Sequence, residues 1–90
     1  MGVRLAGTLK CDGEDAEIVR KALPEHIRLS RAETGCVSLD VTETAPDVFE
    51  VAEHFTNAAA VKSHQSRTRA SRWWDLTRHI PRDITVQKED

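Results

Sequence analysis

The sequence predicts an α+β fold: a single ferredoxin-like βαββαβ domain with a four-stranded antiparallel sheet and its helices on one face. Three observations predict it. Hydrophobic residues alternate with period two in four separate stretches of the chain. Between the first and second of these, and again between the third and fourth, they recur at three-to-four spacing, as on one side of a helix. The chain is 90 residues long and 39% hydrophobic, with two Phe, two Trp and no Tyr, which suits one domain over residues 1–90 with one thin core.

Residues 3–11 are the first expected strand, with Val3, Leu5, Leu9 and Cys11 on one side. Asp12 and Gly13 break it. Asp12, Glu14, Asp15 and Glu17 then put acid where a helix begins, and where its free N–H groups favour negative charge. A helix starting near Glu14 carries Ala16, Val19, Ala22, Leu23, His26, Ile27 and Ser30 as one stripe. Pro24 removes a hydrogen bond and crowds the preceding turn, so a kink or a division into two short helices is expected there. Gly35 is the expected left-handed stop.

Val37, Leu39 and Val41 alternate with polar residues. After a turn at residues 44–47, Phe49, Val51, Glu53 and Phe55 lie opposite Val48, Glu50, Ala52 and His54. The two runs predict a hairpin. Thr56 or Asn57 is a suitable N-cap for a helix through Ala58, Val61 and His64. Thr68 is expected to cap a continuation in which Ala70, Trp73, Trp74, Thr77 and Ile80 share a side, with Pro81 as its end. Ile84 and Val86 alternate in a short last strand, and residues 88–90 are expected to fray. The second strand faces carry Ala6, Thr8, Ser38, Val48, Ala52 and Thr85, a composition suited to sheet-on-sheet packing in a homodimer, with His54 at that contact.

Thirteen Lys plus Arg against fifteen Asp plus Glu give a net charge of -2, which argues against a nucleic-acid binder. No apolar run exceeds the four residues 58–61, so neither a membrane span nor a secretion signal is expected, and a cytoplasmic location is. Cys11 and Cys36 fit no zinc or CxxC spacing, and no metal site is expected. No P-loop, GxSxG, HExxH or EF-hand pattern occurs.

Three stretches, taken in order, resemble antibiotic biosynthesis monooxygenase domains. Glu33, Gly35 and Cys36, followed by Val37, resemble the E-x-G-C-hydrophobic join between the first helix and second strand of that family. Glu53 and Phe55, followed by Ala60 and His64, are similar to its E-x-aromatic strand end and A-x-x-x-H helix. Residues 80–86 are similar to the closing segment of one bacterial subset. The resemblance covers nearly the whole chain. It implies a dimeric α+β barrel with a small-molecule cavity in each subunit, and oxidation of a small aromatic, quinol or polyketide-like compound by O2 with no cofactor. A non-catalytic ligand-binding dimer, or a purely structural one, is the alternative, since many members have no demonstrated activity.

Oxidation without a cofactor makes the substrate its own reductant, so the protein must supply a base near neutral pKa, donors for the resulting anion and a dry pocket. By its family position and its helix face beside Val61 and Thr68, His64 is the candidate base or proton shuttle; the alternative is a pocket-edge histidine bonded to a carbonyl. Glu53 shares its face with Phe49, Val51 and Phe55, and must there find a partner or shift its pKa upward. His26 or His64 is that expected partner. His26 points toward the same space, either as a binding residue or as a hydrogen-bonded core histidine. Phe55, Trp73 and Trp74 are expected apolar walls. Adjacent helical side chains diverge by about 100 degrees, so one Trp should line the cavity and the other a contact or the surface. Arg67, Arg69, Arg72 and Arg78 read as a solvated face, whereas Arg82 is placed to orient an anionic substrate or enolate.

Overall fold

A computed structural model describes residues 1–89. Period-two alternation becomes strands β1 (Val3–Lys10), β2 (Cys36–Ala45), β3 (Val48–Phe55) and β4 (Arg82–Lys88), and the intervening patterns become helices α1 (Gly13–Arg31), α2 (Ala58–Arg69) and α3 (Arg72–Thr77). The strands form one antiparallel sheet in the order β2-β3-β1-β4. This is the expected ferredoxin-like arrangement, with β1 and β3 at its centre.

Local chemistry sets the boundaries. The Asp12 carboxylate accepts from the Asp15 N–H at 2.8 Å and starts α1. Pro24 does not split that helix, contrary to the sequence expectation. It is exposed, while Ala16, Val19, Leu23, His26 and Ser30 on the buried side hold both halves of α1 against the rest of the fold. Gly35 is not a left-handed stop either, since no glycine has a positive φ. Its role is steric: a Cβ there would lie 2.2 Å from the Ala60 Cβ, so the start of β2 passes α2 only because the side chain is missing.

Asn57 caps α2 by accepting from the Ala60 N–H at 2.8 Å. The expected continuation capped by Thr68 is instead a separate helix. The Ala70 and Ser71 N–H groups close α2 on the Arg67 and Thr68 carbonyls, and the Ser71 hydroxyl caps α3. Helix α3 stops at Thr77, four residues before Pro81. In β2, an irregularity in the pairing between Cys36 and Ser38 turns Val37 out to 56% exposure, which breaks the expected inward set of Val37, Leu39 and Val41. At the hairpin, Pro46 and Asp47 make the turn, with Asp47 at φ 65.

The helix-covered face of the sheet holds two apolar clusters. One gathers Leu9, Val19, Leu23, Phe49, Val51, Trp73 and Ile80; the other gathers Val3, Leu5, Phe55 and Val61. Full burial stabilises the fold by roughly 1.5–3 kcal/mol for each large side chain. The opposite sheet face is uncovered, and a row of Asp40, Ala52, Ala6 and Thr85 crosses it in register. Strand β4 continues through Lys88, and the Glu89 N–H donates to the Gly2 carbonyl; residue 90 of the expected frayed tail lies outside the described residues. No helix among the described residues is long and apolar enough to cross a membrane.

Candidate active site

The seam between the two clusters is polar. His26 stacks on Trp73 of the first cluster, with ring centroids 4.5 Å apart and planes 9° from parallel. His64 lies against Phe55 of the second at 4.9 Å, and the two imidazoles are 6.0 Å apart. Across from them, Glu53 projects from the inward face of β3, between Leu5 on one neighbouring strand and Leu39 on the other. A carboxylate placed between two buried leucines meets a low-dielectric environment. Its Oε1 has no hydrogen-bond partner among the described residues, and burial, then the negative charge of Glu33, pushes its pKa up to about 7.

His64 is oriented from behind. The Glu33 carboxylate lies 3.0 and 3.2 Å from Nδ1, and is itself held by the Arg67 guanidinium, which also donates to the Ser30 hydroxyl at 2.9 Å. A carboxylate can only accept, so Nδ1 carries the proton and Nε2 the lone pair. Nε2 faces the pocket, 3.4 Å from Glu53 Oε1 and 3.5 Å from the Thr68 hydroxyl. The contact with Glu53 is close but is not aligned as a hydrogen bond. Burial lowers the His64 pKa against the opposing pull of Glu33, and the ring is neutral near pH 7. His26 is also neutral: burial, then the charges of His64, Arg67 and Arg82, drive its pKa down to about 3. Its Nδ1 is buried with no partner among the described residues.

Glu53, His64, His26, Trp73, Thr68 and Arg82 line one pocket of about 90 Å³, whose remaining wall is Leu and Val from the sheet together with Ile84. The structure therefore brings together five of the residues singled out in the sequence. Two are not in the lining. Phe55 is fully buried behind the His64 ring and supports it, because the inward face of β3 ends there in the second cluster. Trp74 lies under the Arg82 guanidinium, 5.3 Å from its ring centroid, and points away from the cavity as its helical neighbour points in. Arg82 is further tied to the Ile80 and Thr77 carbonyls. His54, on the uncovered face, bonds Glu89 at 2.8 Å. Among the described residues no group of three or more His, Cys, Asp or Glu is arranged to hold a metal ion.

Sequence reasoning did not assign roles to Glu33 or Ser30, and it read Arg67 as part of a solvated face, whereas its half-buried guanidinium is held on Glu33 and Ser30. One signal was available: Glu33 opens the E-x-G-C stretch, and Arg67 lies three residues from His64 on one helix.

The fold and its chamber define a small ferredoxin-like α+β protein with a buried histidine–carboxylate pair beneath its helices. The chain belongs to the antibiotic biosynthesis monooxygenase family, whose model matches residues 2–75. Among solved structures it is similar to a candidate antibiotic biosynthesis monooxygenase from Deinococcus radiodurans, with 27% identity, a TM-score of 0.84, and coverage of 98% of this chain and 92% of that one. A candidate of the same kind from Nitrosomonas europaea aligns with a TM-score of 0.86 at 16% identity, over 98% of this chain and 89% of that one. A conserved protein of unknown function and possible oxidoreductase from Bacteroides thetaiotaomicron aligns at 0.76 and 20% identity, over 96% and 93%. These last two likenesses show the fold alone. A comparison with curated proteins gave no match.

Proposed function

We propose that this protein is a cofactor-independent monooxygenase that oxidises a small aromatic, quinol or polyketide-like substrate with O2, acting as a homodimer. The observation that carries this reading is the pairing, inside one half-buried pocket, of a neutral histidine whose Nε2 lone pair faces inward with a carboxyl group whose Oε1 has no hydrogen-bond partner among the described residues. His64 Nε2 takes the phenolic proton, and the imidazolium that forms is stabilised by Glu33 at Nδ1. The phenolate, favoured by the nearby positive charge of Arg82, gives one electron to O2, and the resulting pair combines to form a carbon–oxygen bond. Breakdown of that peroxide releases water, with the proton returned through His64 and Glu53. For a hydroquinone the balance is quinol plus O2 to hydroxyquinone plus water, the substrate supplying all four electrons. His26 and Trp73 form the wall against which the ring is held.

Oxygen uptake with a panel of hydroquinones tests the reading. One O2 is expected per quinol, and His64→Ala is expected to lower the rate by roughly 10²–10⁴. An unchanged rate removes His64 from the mechanism. Saturable ligand binding with no uptake for any substrate favours the non-catalytic alternative.

A further inference from the structure

The 90 Å³ chamber is small for the proposed substrates, since a cavity of about 150 Å³ is one that accommodates benzene. On the other side of the His26–Trp73 pair lies a larger groove of about 320 Å³ between α1 and α3, to which both of those residues also contribute. That volume falls within the roughly 300–1,000 Å³ typical of small-molecule sites. Ile18, Ala22, Leu29 and Leu76, all half-buried, make its apolar sides. The α1 residues at 18, 22, 25 and 29 recur at three-to-four spacing, so one helix face is turned to the groove rather than to the sheet. Its charge is lopsided. Among the described residues Lys21 and Arg72, exposed at the rim, make no ion pair, Arg67 is committed to Glu33, and Glu25 is the one acid in the lining. Within the lining, His26 is 7% exposed, and its buried Nδ1 has no partner among the described residues.

We propose that this groove is a binding subsite for an aromatic hydroxy acid, with its ring between the apolar sides of α1 and α3, its carboxylate at Lys21 and Arg72, and its hydroxyl end toward the His26–Trp73 wall. An apolar slot accepts a planar ring, and two cations at its rim select an anion. This rests on the oxygenase reading in one respect: it names the class of compound that would be held beside the chamber, with its hydroxyl end against the wall that both sites share.

Isothermal titration with 6-hydroxy-2-naphthoate, whose hydroxyl and carboxylate stand at opposite ends of the ring system, and with 2-naphthol, which lacks the carboxylate, tests the subsite. Saturable binding of the acid is expected, and the Lys21→Glu, Arg72→Glu double variant should weaken it about tenfold while changing 2-naphthol less than twofold. Glu25→Lys should act in the opposite direction and tighten the acid. All three positions are exposed, so thermal unfolding should be nearly unaffected. Absence of saturable binding, or equal losses for both probes, overturns the subsite. Hydroquinone oxidation without naphthoate binding would reject the subsite and leave the oxygenase standing. Charge-dependent binding without any oxygen uptake would do the reverse.

Discussion

His64 serves as a base only while Glu33 keeps the proton on Nδ1, so the two residues form a functional unit although 31 positions separate them. Glu33→Gln preserves an acceptor and removes the charge. Because the Glu33 charge raises the pKa of both His64 and Glu53, both should move down in the variant, as followed by NMR of the imidazole and carboxyl groups. Unmoved values would show that Glu33 is merely structural. Glu53 also has a predictable effect on stability. It titrates at about 7 in the fold and near its ordinary 4.5 when unfolded, so between those values the folded state holds the extra proton. Stability from this group is therefore fully present below about pH 4.5 and is lost as pH rises through 7, by something on the order of 3 kcal/mol. His26 works in the other direction: neutral in the fold down to about 3 and protonated below 6.5 when unfolded, it adds stability as pH rises across that interval. Urea unfolding of Glu53→Gln and the unmodified protein should show the variant gaining on its parent from pH 4.5 to 7. A gap independent of pH would contradict the burial-driven shift. Glu53 was legible in the sequence because an acid on an apolar strand face breaks the pattern. Glu33 was not, because its partners His64 and Arg67 come from a distant helix.

Two glycine and proline expectations failed at the level of elements, and for related reasons. A sequence shows that Gly35 lacks a side chain but not what crowds it; the neighbour is Ala60, and the needed freedom is space rather than backbone rotation. Gly35→Ala should cost about 1–3 kcal/mol in thermal or urea unfolding, and Ala60→Gly should recover part of that loss in the double variant. Additive losses would contradict the direct contact. Pro24 sits on the exposed side of α1, where the packing of the buried stripe outweighs one lost hydrogen bond. The break between α2 and α3 has the opposite character. A polar pair of carbonyl closures followed by the Ser71 cap ends one helix and begins another, and the apolar spacing across residues 70–80 gives no sign of it. That break re-aims Trp73 onto His26 and so sets the wall of the chamber.

For the whole molecule, the uncovered sheet face is the feature that a single chain leaves open. Its central row of Asp40, Ala52, Ala6 and Thr85 is low in relief, which allows a second sheet to approach closely. The proposed homodimer should sediment at about 20 kDa against a chain mass of 10.1 kDa, and Ala52→Arg should return it to the single-chain mass. A dimer that survives Ala52→Arg would place the contact elsewhere, and a monomeric parent would reject it. The scarcity of aromatic residues is consistent with such an arrangement: Phe49 and Phe55 are spent in the two clusters, Trp74 under Arg82, and only Trp73 lines the chamber.

Periodicity alone determined the order of elements, the inward faces of β1 and β3 and the buried stripe of α1, because each of these is a local record of which side of an element avoids water. The ordered motifs carried the family. Only the tertiary structure decided that Glu33 clamps His64, that Glu53 Oε1 has no hydrogen-bond partner among the described residues, and that Trp73 rather than Trp74 faces the cavity. Those outcomes depend on strand register, on the break before α3 and on contacts between residues more than thirty positions apart, none of which leaves a repeating mark along the chain.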